Sequence, residues 1–96
     1  QMDILEENAT WILQNPEYKV LLEGHCDERG TTGYNEALGQ RRADSVMKFM
    51  LEQGIPMDRL NTVSYGEAKP AVEGHNEEAW AKNRRVEFRV RMEPSS

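Results

Sequence analysis

Tyr18-Lys-Val-Leu-Leu-Glu23, Gly24-His-Cys-Asp-Glu-Arg-Gly-Thr-Thr-Gly33 and the long segment from Tyr34 to Gln53 follow one another without a break. The first piece is short and mostly apolar, which suits a buried strand. The second changes polarity abruptly, and its three glycines and small polar residues mark a loop. In the third, Leu38, Val46, Phe49 and Met50 fall on one stripe of a helix, with Ala43 at its edge. Arg41, Asp44, Lys48 and Glu52 lie on the opposite, solvated side. Gly54 is a natural helix stop, and Pro56 follows it. A strand, a loop and a helix in this order form the first half of a parallel crossover.

The flanking sequence extends the pattern. Upstream, residues 3–14 read as a helix with Leu5, Ala9 and Ile12 on one line and Met2 and Leu13 beside it. Asn15-Pro16 ends that helix, because the residue before proline is pushed out of the α region. Downstream, Leu60-Asn-Thr-Val-Ser-Tyr65 reads as a strand, closed by the turn Gly66-Glu-Ala-Lys-Pro70. Asn76 is placed to cap a short helix through Asn83, with Glu77 and Glu78 in its first turn. In the last strand, Val86, Phe88, Val90 and Met92 alternate with Arg85, Glu87, Arg89 and Arg91, which predicts one buried and one wet face. The order α-β-α-β-α-β predicts an α/β (α+β) two-layer sandwich whose first two strands are parallel. Its 96 residues predict one domain over residues 1–93, with a tail at 94–96.

Composition excludes several classes of function. With 17 acidic against 12 basic residues the net charge is −5, which argues against a general nucleic-acid binder. No apolar run approaches the length of a membrane span. No signal peptide opens the chain, so any targeting segment is expected upstream of Gln1. Cys26 is the single cysteine, so no disulfide forms within the chain.

Arg42 breaks the pattern of the long helix. It falls inside the apolar stripe, between Leu38 and Val46, with Asn35 on the same line one heptad earlier. A buried guanidinium needs a partner or an opening to water. One reading is a structural ion pair to Asp27 or Glu28. The other is a ligand clamp. Asp27 lies just past the carboxyl end of the preceding strand, where open α/β sheets bind ligands. A carboxylate and a guanidinium facing one cleft suit a zwitterion such as an α-amino acid.

Four separated stretches carry a resemblance. Leu22-Glu-Gly-His-Cys-Asp-Glu-Arg-Gly-Thr31, Tyr34-Asn-Glu-Ala-Leu-Gly-Gln-Arg-Arg-Ala43, Val63-Ser-Tyr-Gly-Glu-Ala-Lys-Pro70 and Asn83-Arg-Arg-Val-Glu87 agree in order and spacing. Together they make the chain similar to the outer-membrane protein A-like peptidoglycan-binding domains, above all the lipoprotein branch of the Tol–Pal system. The resemblance implies a mixed sheet with an antiparallel last strand and the helices on one face. It implies non-covalent binding of the diaminopimelate of the peptidoglycan stem peptide, with Asp27 and Arg42 holding it, Asn35 shaping the pocket and Leu38 lining it. Arg84 and Arg85 are further candidates nearby. It also implies a periplasmic protein that tethers the outer membrane to the cell wall, anchored by a lipid upstream of this chain and docking TolB and other Tol proteins. Docking TolB without direct peptidoglycan binding is the alternative. Members of the family open with an extra strand beside the last one. This sequence starts in the first helix, so the expectation is a fragment with the edge of residues 86–90 exposed.

Other chemistries fit less well. His25, Cys26, Asp27 and His75 are ligand types, but their spacing matches no usual zinc pattern. Cys26 beside His25 has no third group to orient a base, and adjacent Asp27 and Glu28 diverge in a loop, so no enzyme and no cofactor are expected. Arg84, Arg85, Arg89, Arg91 and Lys82 form a local basic patch on an acidic chain, which a solvated strand face largely explains.

Overall fold

The computed structural model describes residues 2–92, and the tail expected at 94–96 lies outside them. The elements are α1 (Met2–Gln14), β1 (Tyr18–His25), α2 (Thr32–Glu52), a 3₁₀ turn (Met57–Arg59), β2 (Leu60–Gly66), α3 (Glu77–Asn83) and β3 (Arg85–Met92). The sheet order is β2-β1-β3. β1 runs parallel to β2, with Val20 opposite Leu60, and antiparallel to β3, with Val20 opposite Val90. This is the expected mixed sheet with helices on one face.

Local chemistry sets the element ends. Thr31 Oγ1 accepts a hydrogen bond from the Tyr34 amide, so α2 starts at Thr32, two residues before the apolar pattern begins. Asn76 Oδ1 accepts from the Ala79 amide at 2.9 Å and starts α3. Gly54, at φ 96°, takes the left-handed conformation that follows α2. Arg59 donates to the Asn15 and Tyr18 carbonyls and ties the start of β2 to the turn before β1.

The core lies between the helices and the inner face of the sheet: Ala9 and Ile12 of α1, Val20 and Leu22 of β1, Ala43 and Met50 of α2, with Ile55 and Leu60. Leu5 packs partly against it, whereas Leu13, expected beside the stripe, is exposed. The side chain of Met2 lies outside the described residues.

Three expectations change. First, β1 continues through Gly24 and His25 instead of ending at Glu23. Its ladders continue on both sides, and the Cys26 amide donates to Gly66 O at 2.8 Å. Second, Asn35, Gly39, Ala43 and Met50 are the buried residues of α2, so Ala43 is at the centre of the contact instead of its edge, while Leu38, Val46 and Phe49 are only partly buried. The cause is a close approach of backbones: a methyl on Gly24 would stand 1.8 Å from the Gly39 carbonyl oxygen. Two facing glycines let α2 sink onto β1 along this line. Third, Val86 and Phe88 pack against the core, but Val90 and Met92 are 48% and 57% exposed. The helical layer does not reach the end of β3, which among the described residues is an edge strand.

The opposite face of the sheet also departs from simple alternation. Glu23 and His25 point away from the helices yet are only 7% and 1% exposed. His25 stacks on Tyr65, with ring centroids 5.5 Å apart, and Arg89 Nε stands 3.4 Å from Glu23.

Candidate functional site

The carboxyl end of β1 and the first turns of α2 enclose a cleft of about 310 Å³. Asp27, Asn35, Leu38, Arg42 and Arg84 line it, together with Arg29. Five of the six residues singled out in the sequence therefore meet in one place. Arg85 does not line this cleft. It pairs with Glu87, donates to the Lys69 carbonyl at 2.8 Å, and faces a neighbouring groove with Arg42, Arg84 and Phe88.

Asp27 is nearly buried, and guanidiniums saturate it. Oδ1 accepts from the Arg29 amide at 3.0 Å and from Arg29 Nε at 3.2 Å. Oδ2 accepts from Arg29 Nη2 at 2.8 Å and from Arg84 Nη1 at 3.1 Å. A carboxylate offers about four acceptor sites, so all are in use. These bonds, those from Arg29 foremost, lower the Asp27 pKa to about 2. Arg29 lies over the Trp80 ring at 4.4 Å, and Arg84 also reaches Glu77 Oε1 at 2.7 Å. Arg29 and Trp80 were missed in the sequence. Arg29 had a signal, since it stands two residues from Asp27 in the same turn. Trp80 had none, because its role depends on where α3 packs.

Arg42 forms neither of the ion pairs considered for it. Its Nη1 donates to the His25 carbonyl at 3.0 Å, and no carboxylate among the described residues is within ion-pair distance. This bond fixes the half-buried side chain at the end of β1 and leaves further donors of its five-donor fork for a ligand. Arg41, one residue earlier, is exposed, as its helical phase requires. Asn35 is 1% exposed; its Nδ2 donates to Glu67 Oε1 at 2.9 Å, and its carbonyl accepts from Cys26 Sγ. Glu67 lies 32 residues away and has no local sequence signal.

His25 and Cys26 diverge, as consecutive residues at a strand end do. The Cys26 thiol points to Asn35, and burial raises its pKa, which keeps it protonated and poorly nucleophilic. Neither His25 ring nitrogen has a hydrogen-bond partner among the described residues; burial and then the Arg85 guanidinium lower its pKa and favour the neutral ring. His75 pairs instead with Glu28, which also accepts from Trp80 Nε1 at 3.1 Å.

The model of the OmpA family matches residues 1–84. A peptidoglycan-associated lipoprotein of Haemophilus influenzae is 54% identical over 85 residues, covering 88% of this chain and 56% of that protein. Its counterpart in Pseudomonas aeruginosa is 52% identical over 71 residues, covering 74% of this chain and 42% of that protein. The chain thus spans about half the length of the curated relatives it matches. Among solved structures, the peptidoglycan-associated lipoprotein of Burkholderia pseudomallei superposes with a TM-score of 0.89 at 37% identity, covering 93% of this chain and 75% of that one. The C-terminal domain of Helicobacter pylori MotB gives 0.85 at 26% identity, covering 96% and 72%. On the family match and on these likenesses in sequence and fold, the chain belongs to the OmpA family.

Proposed function

We propose that this chain binds peptidoglycan non-covalently, taking the diaminopimelate of the stem peptide into the Asp27/Arg42 cleft. The observation that carries the reading is an ionised carboxylate and a guanidinium with no carboxylate partner among the described residues, on the walls of one cleft. Arg42 grips the ligand carboxylate, and Asp27 receives the ammonium. Because Asp27 is saturated, the ammonium displaces a guanidinium. Arg29 is the one to leave, since its side chain is already 49% exposed and regains water easily. Asn35 and Leu38 complete the wall. Several relatives are named peptidoglycan-associated lipoproteins, which supports the ligand class. In the whole protein this domain holds the outer membrane to the cell wall from the periplasm, as part of the Tol–Pal system and alongside docking of TolB. No helix among the described residues is long and apolar enough to cross a membrane.

The test is co-sedimentation with purified sacculi. Removing one member of a desolvated charge pair costs about 2–5 kcal/mol, tens- to thousands-fold in affinity. Asp27→Ala and Arg42→Leu should each lose measurable binding, while Arg41→Ala should bind like the wild type. Equal losses at Arg41 and Arg42 would refute the clamp. Undiminished binding by both cleft variants would place the peptidoglycan contact on another surface, and no binding by the wild type would leave partner docking as the function.

A further inference from the structure

Asn35 stands near the start of α2 with 1% of its surface exposed, and its backbone is held from several sides. Its backbone amide donates to Thr31 O at 2.9 Å, and its carbonyl accepts from Cys26 Sγ at 3.0 Å. Gly66, at φ 55°, brings the turn after β2 so close that a methyl there would stand 3.3 Å from the Asn35 carbonyl carbon. With the backbone fixed, what remains open is which end of the side-chain amide points which way. Glu67 decides it. Asn35 Nδ2 donates to Glu67 Oε1 at 2.9 Å, and a carboxylate oxygen only accepts, so the NH₂ end turns to it. Oδ1 is thereby sent the other way. It faces Gly30, where a methyl would stand 3.2 Å from it, and Gly30 lines the Asp27 cleft. Glu67 does not line that cleft; it belongs to the hollow behind it, with Glu28, Val72 and His75. Among the described residues, Oδ1 accepts no hydrogen bond. An acceptor on so deeply buried a side chain is costly to leave unmet, and the cleft is where a donor can reach it.

We infer that Glu67 is a positioning residue for ligand binding: by holding Asn35 Nδ2 it turns Oδ1 to the cleft, where that oxygen accepts a hydrogen bond from the ammonium of the bound diaminopimelate. This role rests on the peptidoglycan reading and deepens it. An ammonium carries three N–H donors, and one carboxylate rarely meets them all. The acceptor sites of Asp27 are filled by Arg29 and Arg84, so Asp27 opens to the ligand only once Arg29 has left. Oδ1 of Asn35 is empty beforehand and needs no displacement. With the amide turned over, two N–H donors would face the incoming cation and repel it. Glu67 excludes that orientation without touching the ligand, and so makes the cleft selective for a group that donates.

The probes are two synthetic stem peptides, followed by titration calorimetry on the whole chain. One carries diaminopimelate; the other carries α-aminopimelate, which keeps the side-chain carboxylate and lacks the ammonium. The wild type should prefer the first. Glu67→Ala frees the amide to turn, so it should weaken the diaminopimelate peptide about tenfold and change the aminopimelate peptide by less than about twofold. The lost preference should stay lost at high salt, where a merely distant charge would be screened in the wild type as well. Asn35→Asp/Glu67→Gln exchanges the two chemistries: the new amide donates to the new carboxylate, which again shows an acceptor to the cleft, and the preference should return. Thermal melts confirm that each variant is folded. Equal losses for both peptides in Glu67→Ala would make Glu67 a structural support only, and an unchanged preference would remove it from binding. Either result overturns the proposal while leaving the Asp27/Arg42 clamp standing. So does a difference between wild type and Glu67→Ala that vanishes at high salt, or a folded double variant without the preference. A wild type that binds neither peptide overturns the peptidoglycan reading and this proposal together.

Discussion

Asp27 is a carboxylate ionised far into acid, and the reason is its partners. In the unfolded chain it titrates near 3.8; in the folded chain the donors of Arg29 and then Arg84 hold it at about 2. A depressed carboxyl stabilises the fold above its unfolded pKa, and that contribution is lost as pH falls from about 4 towards 2. Its size is at most about 2 kcal/mol, because Arg29 is half exposed and salt screens it. Urea unfolding between pH 7 and pH 2 should show this loss in the wild type and a shallower one in Asp27→Asn. Parallel curves would mean that the guanidinium bonds contribute nothing net. The same residue logic sets ligand preference. A stem peptide with lysine in place of diaminopimelate keeps the ammonium but leaves Arg42 without a carboxylate, so it should bind more weakly by about 2 kcal/mol or more. Calorimetry placing the two peptides within a factor of two would contradict the clamp.

Between elements, the decisive contact is α2 against β1 and β2. Gly24 and Gly39 let the backbones meet, Ser64 Oγ donates to the Glu36 carbonyl at 2.7 Å, and Gln40 Nε2 donates to Thr62 Oγ1 at 2.9 Å. These contacts hold Asn35, Leu38 and Arg42 at the cleft. A methyl at Gly39 would meet Ser64 Oγ at 2.3 Å, and a small side chain can rotate away. A methyl at Gly24 would meet backbone at 1.8 Å, so the helix itself must shift. Overpacking costs about 1–3 kcal/mol, so Gly39→Ala should fall in that range and Gly24→Ala at its top or beyond, with weakened sacculus binding. Gly33, also in α2, has open space where a methyl would stand, with no atom within 4 Å of it, and Gly33→Ala should stabilise by about 0.5–1 kcal/mol. Thermal melts that rank the three differently would show that close approach does not govern this interface.

Across the whole molecule, one small core carries the fold. Leu22 has no exposed surface and sits at the centre of the sheet, touched by helices from one side only. Leu22→Ala should cost about 2–5 kcal/mol, a large part of the roughly 5–15 kcal/mol typical of a domain. Denaturant titration should show a lower midpoint with a similar slope. A loss under about 1 kcal/mol would mean that the core relaxes around the cavity.

The sequence by itself determined what is local or periodic. Alternation marked β3, the apolar stripe marked α2 and showed Arg42 as its exception, and Gly54 and Asn76 bounded helices within a residue or two. The motifs carried Asp27, Asn35, Leu38 and Arg42, and the structure brings those four to one cleft. Tertiary structure alone decided the remainder. Arg84 reaches Asp27 across 57 residues, and Glu67 reaches Asn35 across 32. Gly24 meets Gly39 only because α2 folds back over β1. Val90 and Met92 lie on the apolar face of β3 yet remain exposed, while Glu23 and His25 lie on its polar counterpart in β1 yet are buried. The physical reason is the same in each case. A periodic pattern records which side of an element is apolar, whereas burial and pairing depend on which distant element comes to rest against it.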